Sequence, residues 1–314
     1  MKYAKITLSG GFSNTGSQVK SLFTKQEKRF RFDEFLIRVE KILGNRKITR
    51  VLIECKRDFH FRLYSGAEDM REQFFRLKEG GKEVFFYASS YDTTTLYLAS
   101  ACGTRLIHPL GTLSFLGLSR SFLFFKGTME KYGMESEVIR RGEYKSAGDR
   151  FRTDRLDSKN REQYEVYLET VMEEMREGTA EGIGKSREEI EQLEEGRILD
   201  AGTAQSEGWI NRAVTIRNAE EQWKEEERGK QKKIKRIGRH YGRGRKKIAV
   251  LVFEGAIIDG KSKYHPLAGE AIGSDSFLPH IEKLRKDKKI KGVVLLVNSG
   301  GGSATASEDI LDAL

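Results

Sequence analysis

An internal repeat is the feature that most constrains how this chain can fold. When the sequence is laid on itself with a shift of 242 positions, which is the distance from Asp33 to Asp275, identical residues pair without a gap. The matched pairs are Asp33/Asp275, Phe35/Phe277, Leu36/Leu278, Glu40/Glu282, Lys41/Lys283, Lys47/Lys289, Ile48/Ile290 and Val51/Val293. Because the same pattern occurs twice, we expect the same supersecondary unit to occur twice.

Hydrophobic periodicity gives the elements of that unit. Strands are predicted at 3–8 in the first copy and at 248–253 in the second, and each is followed by an amphipathic helix with apolar positions such as Phe35, Val39 and Ile42. A second strand follows in each copy. In the second copy it is the apolar run 293–297, which is typical of a strand buried on both faces of a parallel sheet. The sequence therefore predicts a duplicated α/β unit.

Three consecutive glycines, Gly300, Gly301 and Gly302, follow the apolar run. Glycine allows backbone conformations that a side chain forbids, which leaves amide N–H groups free to face a ligand. Thr305 and Glu308 have the spacing of a capping box that opens the next helix. The strand, turn and helix start would place amide donors and the positive end of a helix dipole at one point, where an oxyanion or phosphate could bind. An ordinary tight turn is the alternative.

The segment from Asn298 to Glu308 carries a family resemblance. Its letters NSGGGS and TASE resemble the Asn-Ser-Pro-Gly-Gly-Ser…Thr-Ala-Ser-Glu signature of the signal peptide peptidase A family, relatives of Clp-type proteases with a crotonase-like fold. Gly300 stands where that family usually has proline. The resemblance implies that Gly301 and Gly302 supply the amides of an oxyanion hole, and that Ser303 has a structural role at the helix start.

A second motif contains a lysine. The segment 138–151, VIRRGEYKSAGDRF, resembles the family motif Gly-x-Tyr-Lys-Ser-Ala-x-x-Pro-Phe, with Arg150 in place of proline. In the tandem form of the enzyme this lysine is the general base, which implies that role for Lys145. An amine near the solution pKa of ~10.4 is protonated at neutral pH, so a lysine base must be desolvated or lie near positive charge. Arg140 and Arg141 could supply that charge; a solvated surface lysine is the alternative.

The first copy differs from the second where the glycines would fall. At a shift of 242, residues 56–61, with the letters KRDFHF, align with 298–303. Side chains replace every glycine, so we expect the first copy to lack an oxyanion hole. After a helix predicted at 67–77 and a strand at 83–87, Thr93 aligns with the family's nucleophilic serine. Thr93 is either a residual nucleophile or, as the alternative, the cap of a helix.

Composition sets the domain boundaries and limits the partners. With 314 residues and 38% hydrophobic content, the chain can build two domains. Residues 196–211 resemble the family's closing segment. The resemblance therefore implies a first crotonase-like domain at 1–213, a charged linker at 214–247 and the start of a second crotonase-like domain at 248–314. Residues 224–247 contain twelve Lys or Arg and three Glu, a composition typical of a solvated linker that could contact an anionic membrane surface. No nucleic-acid partner is expected, since no nucleic-acid-binding motif is present.

Other sequence features bear on cofactors and location. Cys55 and Cys102 form no spacing motif, so we expect buried free thiols, no metal and no cofactor. The apolar stretch 108–125 could be a groove for an extended peptide or, as we expect, core with one exposed edge. No apolar window reaches the ~18 residues of a transmembrane helix, and the first residues lack a signal-peptide profile. The resemblance implies association with the bacterial cytoplasmic membrane, and a soluble or cytoplasmic protein is the alternative.

The resemblance also implies an activity. It predicts a serine peptidase that cuts hydrophobic peptides, such as cleaved signal peptides, with a Ser-Lys dyad in a homo-oligomer. In the family, the nucleophilic serine follows the glycine turn by one helix and one strand. We therefore expect it beyond Leu314, with the second domain incomplete and this chain inactive alone. A non-catalytic scaffold or inactive homologue is one alternative. A crotonase-type acyl-CoA enzyme is another, against which the lysine motif argues.

Overall fold

The computed structural model describes residues 2–14, 29–61, 64–226, 246–265 and 269–314. The strands are β1 (Lys2–Leu8), β2 (Gly11–Ser13), β3 (Arg29–Arg31), β4 (Ile48–Cys55), β5 (Glu83–Ala88), β6 (Thr104–Ile107), β7 (Thr112–Ser114), β8 (Ile198–Asp200), β9 (Arg212–Ala213), β10 (Lys247–Glu254), β11 (Ala256–Ile258), β12 (Lys263–His265), β13 (Gly269–Gly273) and β14 (Ile290–Asn298). The helices are α1 (Phe32–Leu43), α2 (Ser65–Glu79), α3 (Thr93–Ser100), α4 (Lys126–Lys131), α5 (Asp149–Arg152), α6 (Ser158–Ile183), α7 (Arg187–Glu194), α8 (Ala201–Ser206), α9 (Ile216–Glu226), α10 (Ser274–Lys286) and α11 (Ala304–Ala313). The α/β fold class is confirmed.

The chain divides into two compact units. Unit one comprises Met1–Ser9 and Val39–Ile234, and unit two comprises Gly10–Arg38 and Lys235–Leu314. This division differs from a simple cut at the predicted linker, because an early segment of the chain belongs with the end of the chain. The residues of α1 are split between the two units.

A parallel sheet of five strands forms the centre of unit one, in the order β1-β4-β5-β6-β9. The strand β4 consists mainly of branched apolar residues, and the side chains of Val51, Leu52 and Ile53 are fully buried. Such a run is expected for a strand that is covered on both faces. The helices α2 and α3 connect consecutive parallel strands, as βαβ units require.

The long helix α6 packs closely on α3. A Cβ atom added at Gly182 would lie 2.4 Å from the carbonyl oxygen of Ser100, so only glycine permits this approach. On α6, the buried guanidinium of Arg176 donates to Glu194 of α7 at 2.7 Å. Helix α6 is therefore held to α3 by close backbone packing and to α7 by a charged hydrogen bond.

The segment after residue 213 is folded in the structure. Val214, which lies between β9 and α9, and Ala219 of α9 are buried in an apolar cluster with Leu52, Tyr87 and Leu106. The predicted linker thus begins with residues that belong to the core of unit one. Its positions 227–245 lie outside the described residues.

Unit two contains the parallel pair β10-β14 and the three-stranded sheet β11-β13-β12. Its apolar cluster consists of Leu251, Phe253, Ile272, Phe277, Ile281 and Ile310. The expectation that 293–297 is buried on both faces is wrong: these five side chains retain between 37% and 62% of their accessible surface. In the part of the chain that the structure describes, β14 pairs with β10 alone, so no further strand covers its other edge.

The repeat is confirmed by strand register. In the first copy β1 is parallel to β4, with a register shift directly after Lys2, and in the second copy β10 is parallel to β14, with the same shift directly after Lys247. The short pairs β2-β3 and β11-β13 are both parallel and also correspond residue by residue. Equivalent paired strands with equivalent irregularities indicate that one unit was duplicated.

The apolar stretch 108–125 contains both buried and exposed residues. Leu113 and Phe115 are fully buried, whereas Leu110, Leu116 and Leu123 expose 89%, 54% and 67% of their surface. The stretch is therefore part of the core at Leu113 and Phe115 and exposed on either side of them. Among the described residues, none of the helices combines the length and the apolar character that crossing a bilayer requires.

Candidate active site

The glycine turn of unit two joins β14 to α11. Gly301 has a φ of +101°, a conformation that residues with a Cβ rarely adopt. Gly302 has a different requirement, since a Cβ there would lie 1.9 Å from the carbonyl oxygen of Ile257. Gly300 has neither constraint, because its Cβ position is open and its φ lies outside the left-handed region. The family's proline at that position is therefore compatible with the space available here.

Strand β11 holds the turn from one side. The Ile257 amide donates to the Gly301 carbonyl at 3.1 Å, and the Ser303 amide donates to the Ile257 carbonyl at 2.8 Å. These two bonds surround Gly302 and explain why the backbones approach so closely. They fix the turn on a strand, which makes its geometry more precise than that of a free loop.

The two expected oxyanion-hole amides are in different states. The Gly301 amide donates to the Ser299 hydroxyl at 3.1 Å. Within the described residues, no hydrogen bond uses the Gly302 amide. The turn thus presents one amide without a protein acceptor and one amide whose acceptor is a small hydroxyl. Both glycines are exposed, so a ligand could reach them.

Ser303 is the N-cap of α11, as the resemblance implied. Its hydroxyl accepts from the Ala306 amide at 3.2 Å and donates to Asp259 at 2.5 Å. The predicted capping box of Thr305 and Glu308 is wrong, because Ser303 occupies the capping position two residues earlier. The Thr305 hydroxyl donates instead to Asp259 at 2.7 Å.

Asp259 is a residue that sequence reasoning missed. Its carboxylate accepts from both hydroxyls next to the glycine turn, and these hydrogen bonds, that from Ser303 first, hold the pKa of the Asp259 carboxyl below its ordinary value. No motif marks Asp259, and 44 positions separate it from Ser303. The repeat gives the only hint, since Asp259 follows β11 as the polar Asn14 follows β2.

Lys145 lies in unit one, in a segment without regular secondary structure between α4 and α5. The expectation that it is desolvated is not met, because the residue is exposed. The neighbouring positive charge is present: an Arg140 guanidinium nitrogen donates to the Lys145 carbonyl oxygen at 3.4 Å. Lys145 and the two glycines belong to different units.

Thr93 is the first residue of α3, but it does not cap the helix. The N-cap is Asp92, whose carboxylate accepts from the Thr95 amide at 2.8 Å. Thr93 is 5% exposed, and its hydroxyl donates to the Gly117 carbonyl at 3.3 Å. The capping expectation is therefore wrong. The hydroxyl is buried against a carbonyl oxygen, which can accept its proton in a hydrogen bond but cannot remove it as a base would.

The turn of the first copy has a different construction. Phe59 and Phe61 form an edge-to-face ring pair with centroids 5.0 Å apart. Asp58, which aligns with Gly300, accepts a bifurcated hydrogen bond from the Ser9 hydroxyl, whose oxygen lies 2.9 and 2.8 Å from the two carboxylate oxygens. That this copy lacks an oxyanion hole stays a prediction.

The cysteines are buried, as expected, and burial raises the pKa of both the Cys55 and the Cys102 thiols. The described residues contain no cluster of three or more His, Cys, Asp or Glu that could hold a metal ion.

Comparison with known proteins finds a match to one peptidase family. Residues 76–230, which include Lys145, match the family model described as Peptidase family S49. The chain is 30% identical over 257 residues to the chloroplastic serine protease SPPA of Arabidopsis thaliana, a match that covers 77% of this chain and 37% of that protein. It is 28% identical over 255 residues to Protease 4 of Haemophilus influenzae, covering 74% of this chain and 40% of that protein.

Protease 4 of Salmonella typhi is 25% identical over 303 residues, covering 87% of this chain and 46% of that protein. The matches thus span less than half the length of these relatives. Among solved structures, a ClpP1 mutant from Listeria monocytogenes matches with a TM-score of 0.39 and 11% identity, covering 68% of this chain and 92% of that one. An enoyl-CoA hydratase/isomerase family protein from Silicibacter pomeroyi matches with a TM-score of 0.36 and 12% identity, covering 62% and 68%. TM-scores this low support no inference by themselves. The family match, the named relatives and the two motifs together show that the chain belongs to peptidase family S49, the signal peptide peptidase A family.

Proposed function

We propose that this chain is the base-bearing and oxyanion-binding part of a serine peptidase that hydrolyses hydrophobic peptides, such as cleaved signal peptides. The observation that carries the proposal is the turn at Gly301 and Gly302, which β11 holds in place and which presents amide donors directly before the start of a helix. The names of the relatives, a serine protease SPPA and two proteins called Protease 4, support the same reaction class.

The proposed reaction uses groups on this chain and one serine that is not among its residues. The neutral Lys145 amine takes the proton of that serine hydroxyl, and the serine oxygen attacks the carbonyl carbon of the peptide bond. The carbonyl oxygen becomes an oxyanion, which accepts hydrogen bonds from the Gly301 and Gly302 amides. The protonated lysine then gives its proton to the leaving amine, and water hydrolyses the acyl-enzyme. Each amide donor contributes about 3 kcal/mol to transition-state stabilisation in comparable hydrolases.

Two features of the site need a change during the reaction. The Gly301 amide must exchange the Ser299 hydroxyl for the oxyanion. The exposed Lys145 side chain must also be shielded from water for its amine to act as the base. Bound apolar peptide, or a second subunit of a homo-oligomer, would supply that shielding. An anionic membrane surface is a further proposed partner, through the basic segment 224–247.

The test compares lysine variants in a chain extended to include the serine. We expect Lys145→Ala to lower the acylation rate by about 10²–10⁴-fold, because the proposed dyad has no second base. Lys145→Arg should be equally inactive, since a guanidinium does not give up its proton in the usable pH range. The matched control is Lys131→Ala, at an exposed lysine of α4. Rates near wild type in either Lys145 variant would remove this residue from the mechanism.

The 314-residue chain itself tests the missing nucleophile. It should neither turn over a fluorogenic apolar peptide nor react with a serine-directed phosphonate. Labelling of Ser303 or Thr93 accompanied by activity would show that the nucleophile lies within these residues. Complete lack of turnover in the extended chain as well would favour a non-catalytic scaffold.

A further inference from the structure

A buried carboxylate that the proposed reaction does not use lies four residues after Lys145. Asp149, the first residue of α5, is 5% exposed. Burial of an ionised carboxylate is costly unless hydrogen bonds and opposite charges compensate for it. Both oxygens of Asp149 are used in this way. One accepts from Arg140 and from Asn160, each at 3.0 Å, and the other accepts from Arg152 at 3.1 Å.

Arg140 connects this carboxylate to the lysine. The same guanidinium nitrogen that donates to Asp149 also donates to the Lys145 carbonyl oxygen, at 3.4 Å. It lies 3.6 Å from the carboxylate of Asp157 as well. The contact to the lysine backbone is long and therefore weak, whereas the contact to the buried carboxylate is short. The guanidinium position is thus set by Asp149, and the Lys145 carbonyl oxygen accepts from the same nitrogen.

The far end of this chain of contacts is a rigid element. Asp157 is the N-cap of α6 and accepts from the Asn160 amide at 2.8 Å. Asn160 is fully buried in the first turn of that helix, and its side-chain amide donates to Asp149. The contacts therefore run from the start of a 26-residue helix to Asp149, then to Arg140 and then to Lys145.

The lysine side chain offers no alternative anchor. Over the described part of the chain, the Lys145 ammonium takes part in no hydrogen bond or ion pair, and the residue is exposed. Its amide makes one long bond, to the Gly142 carbonyl at 3.4 Å. The position of the Lys145 side chain therefore depends on the contacts that hold the Lys145 backbone.

We propose that Asp149 is a positioning residue that, through Arg140, fixes the backbone of Lys145 relative to the start of α6. This inference rests on the proposed function, because the position of the Lys145 backbone affects catalysis only if Lys145 is the base. Asp149 and Arg140 touch neither substrate nor the reacting atoms. They act by keeping the base at one distance from the reacting serine, and an error of about 1 Å in such a distance can cost about 10²-fold in rate.

Hydrogen exchange of the 314-residue chain tests whether Asp149 and Arg140 hold the backbone around Lys145, and it does not require turnover. In Asp149→Asn, we expect amide exchange in peptides from 138–148 to accelerate about tenfold or more, while β4 and the second half of α6 keep their protection. The matched control is Asp154→Asn, the same chemical change at an exposed aspartate of the next loop, which should leave exchange unchanged. If Asp149→Asn unfolds the whole unit, the half-exposed Arg140→Gln decides instead. Unchanged exchange at 138–148 in Arg140→Gln would overturn the proposal.

Kinetics of the extended, serine-containing chain test the positioning part. Asp149→Asn and Arg140→Gln should lower kcat at least tenfold with KM unchanged, and Asp154→Asn should match wild type. If Lys145→Ala abolishes turnover and these two variants do not change kcat, the positioning proposal fails while the proposed function stands. If wild type has no turnover, the proposed function fails, and the exchange experiment still decides whether Asp149 holds this segment.

Discussion

At the scale of single residues, the three glycines of the turn have different tolerances for a side chain. Gly302 faces the Ile257 carbonyl, which a Cβ would meet at 1.9 Å, whereas the Cβ position of Gly300 is open. We expect Gly302→Ala to destabilise unit two by about 1–3 kcal/mol, as overpacking does. Gly300→Ala should stabilise it by about 0.4–1 kcal/mol, by reducing the freedom of the unfolded chain. Hydrogen exchange of α11 measures both, and equal effects at the two positions would contradict the geometry.

Asp259 gives the turn a pH dependence of definite sign. Hydrogen bonds from Ser303 and Thr305 lower the pKa of this carboxyl in the folded state. A group with a lowered folded pKa contributes stability that is complete above its unfolded pKa, ~3.9 for aspartate, and that is lost as the pH falls toward the folded pKa. Protection of the 299–306 segment should therefore be constant above about pH 5 and decline below about pH 4.

The matched variants for this effect are Asp259→Asn and Asp309→Asn. The first should remove the acid-dependent step in hydrogen exchange of the 299–306 segment. The second changes an exposed carboxylate of α11 and should keep the step. A step that persists in Asp259→Asn would assign it to another group.

At the scale of elements, β14 should promote self-association. Its residues Val294 and Leu296 point to one face and expose 51% and 37% of their surface, and the strand pairs with β10 alone among the described residues. Exposed apolar surface next to an open strand edge favours pairing with another chain. Val294→Thr with Leu296→Thr should keep the strand and reduce the concentration dependence of the sedimentation coefficient. Lys291→Thr, a polar change on the same strand, is the control and should have no such effect.

The elements of this fold were largely predictable from the sequence, because apolar periodicity is a local property. The strands expected at 3–8 and 248–253 and the helix at 67–77 lie within β1, β10 and α2, and the duplicated unit extends to shared register shifts. The same argument failed for the burial of 293–297. Apolar periodicity predicts the type of element and its apolar face, but tertiary contacts determine whether that face is buried by other elements.

Caps and site contacts were harder to predict for a different reason. Ser303 and Thr305 are both good cap residues two positions apart, as are Asp92 and Thr93 at adjacent positions, and small differences in backbone direction decide between them. The glycine turn was predictable because three consecutive glycines after an apolar strand disfavour both helix and strand and favour a turn. Asp259 and Asp149 were not, because each acts through a fold that brings distant residues together. The exposure of Lys145 likewise depends on packing of a segment without periodicity.

At the scale of the whole molecule, the basic segment should be the first site of cleavage by trypsin. Residues 224–247 contain twelve of the 57 Lys and Arg residues, interspersed with glycine. We expect limited digestion to yield an N-terminal fragment ending in this segment and a C-terminal fragment beginning in it. The two should coelute in gel filtration, because residues 10–38 of the first fragment belong to the same unit as the second. Separate elution without denaturant would contradict that grouping.

The grouping of Gly10–Arg38 with the end of the chain also limits how a gene for unit two can be built. A reading frame that starts at codon 246 would encode β10 to α11 but omit β2, β3 and the first part of α1. Glu254, at the end of β10, would lose the Ser13 hydroxyl that donates to it at 3.3 Å. The smallest gene fragment that encodes unit two therefore has to include codons 10–38 as well as those from 235 onwards.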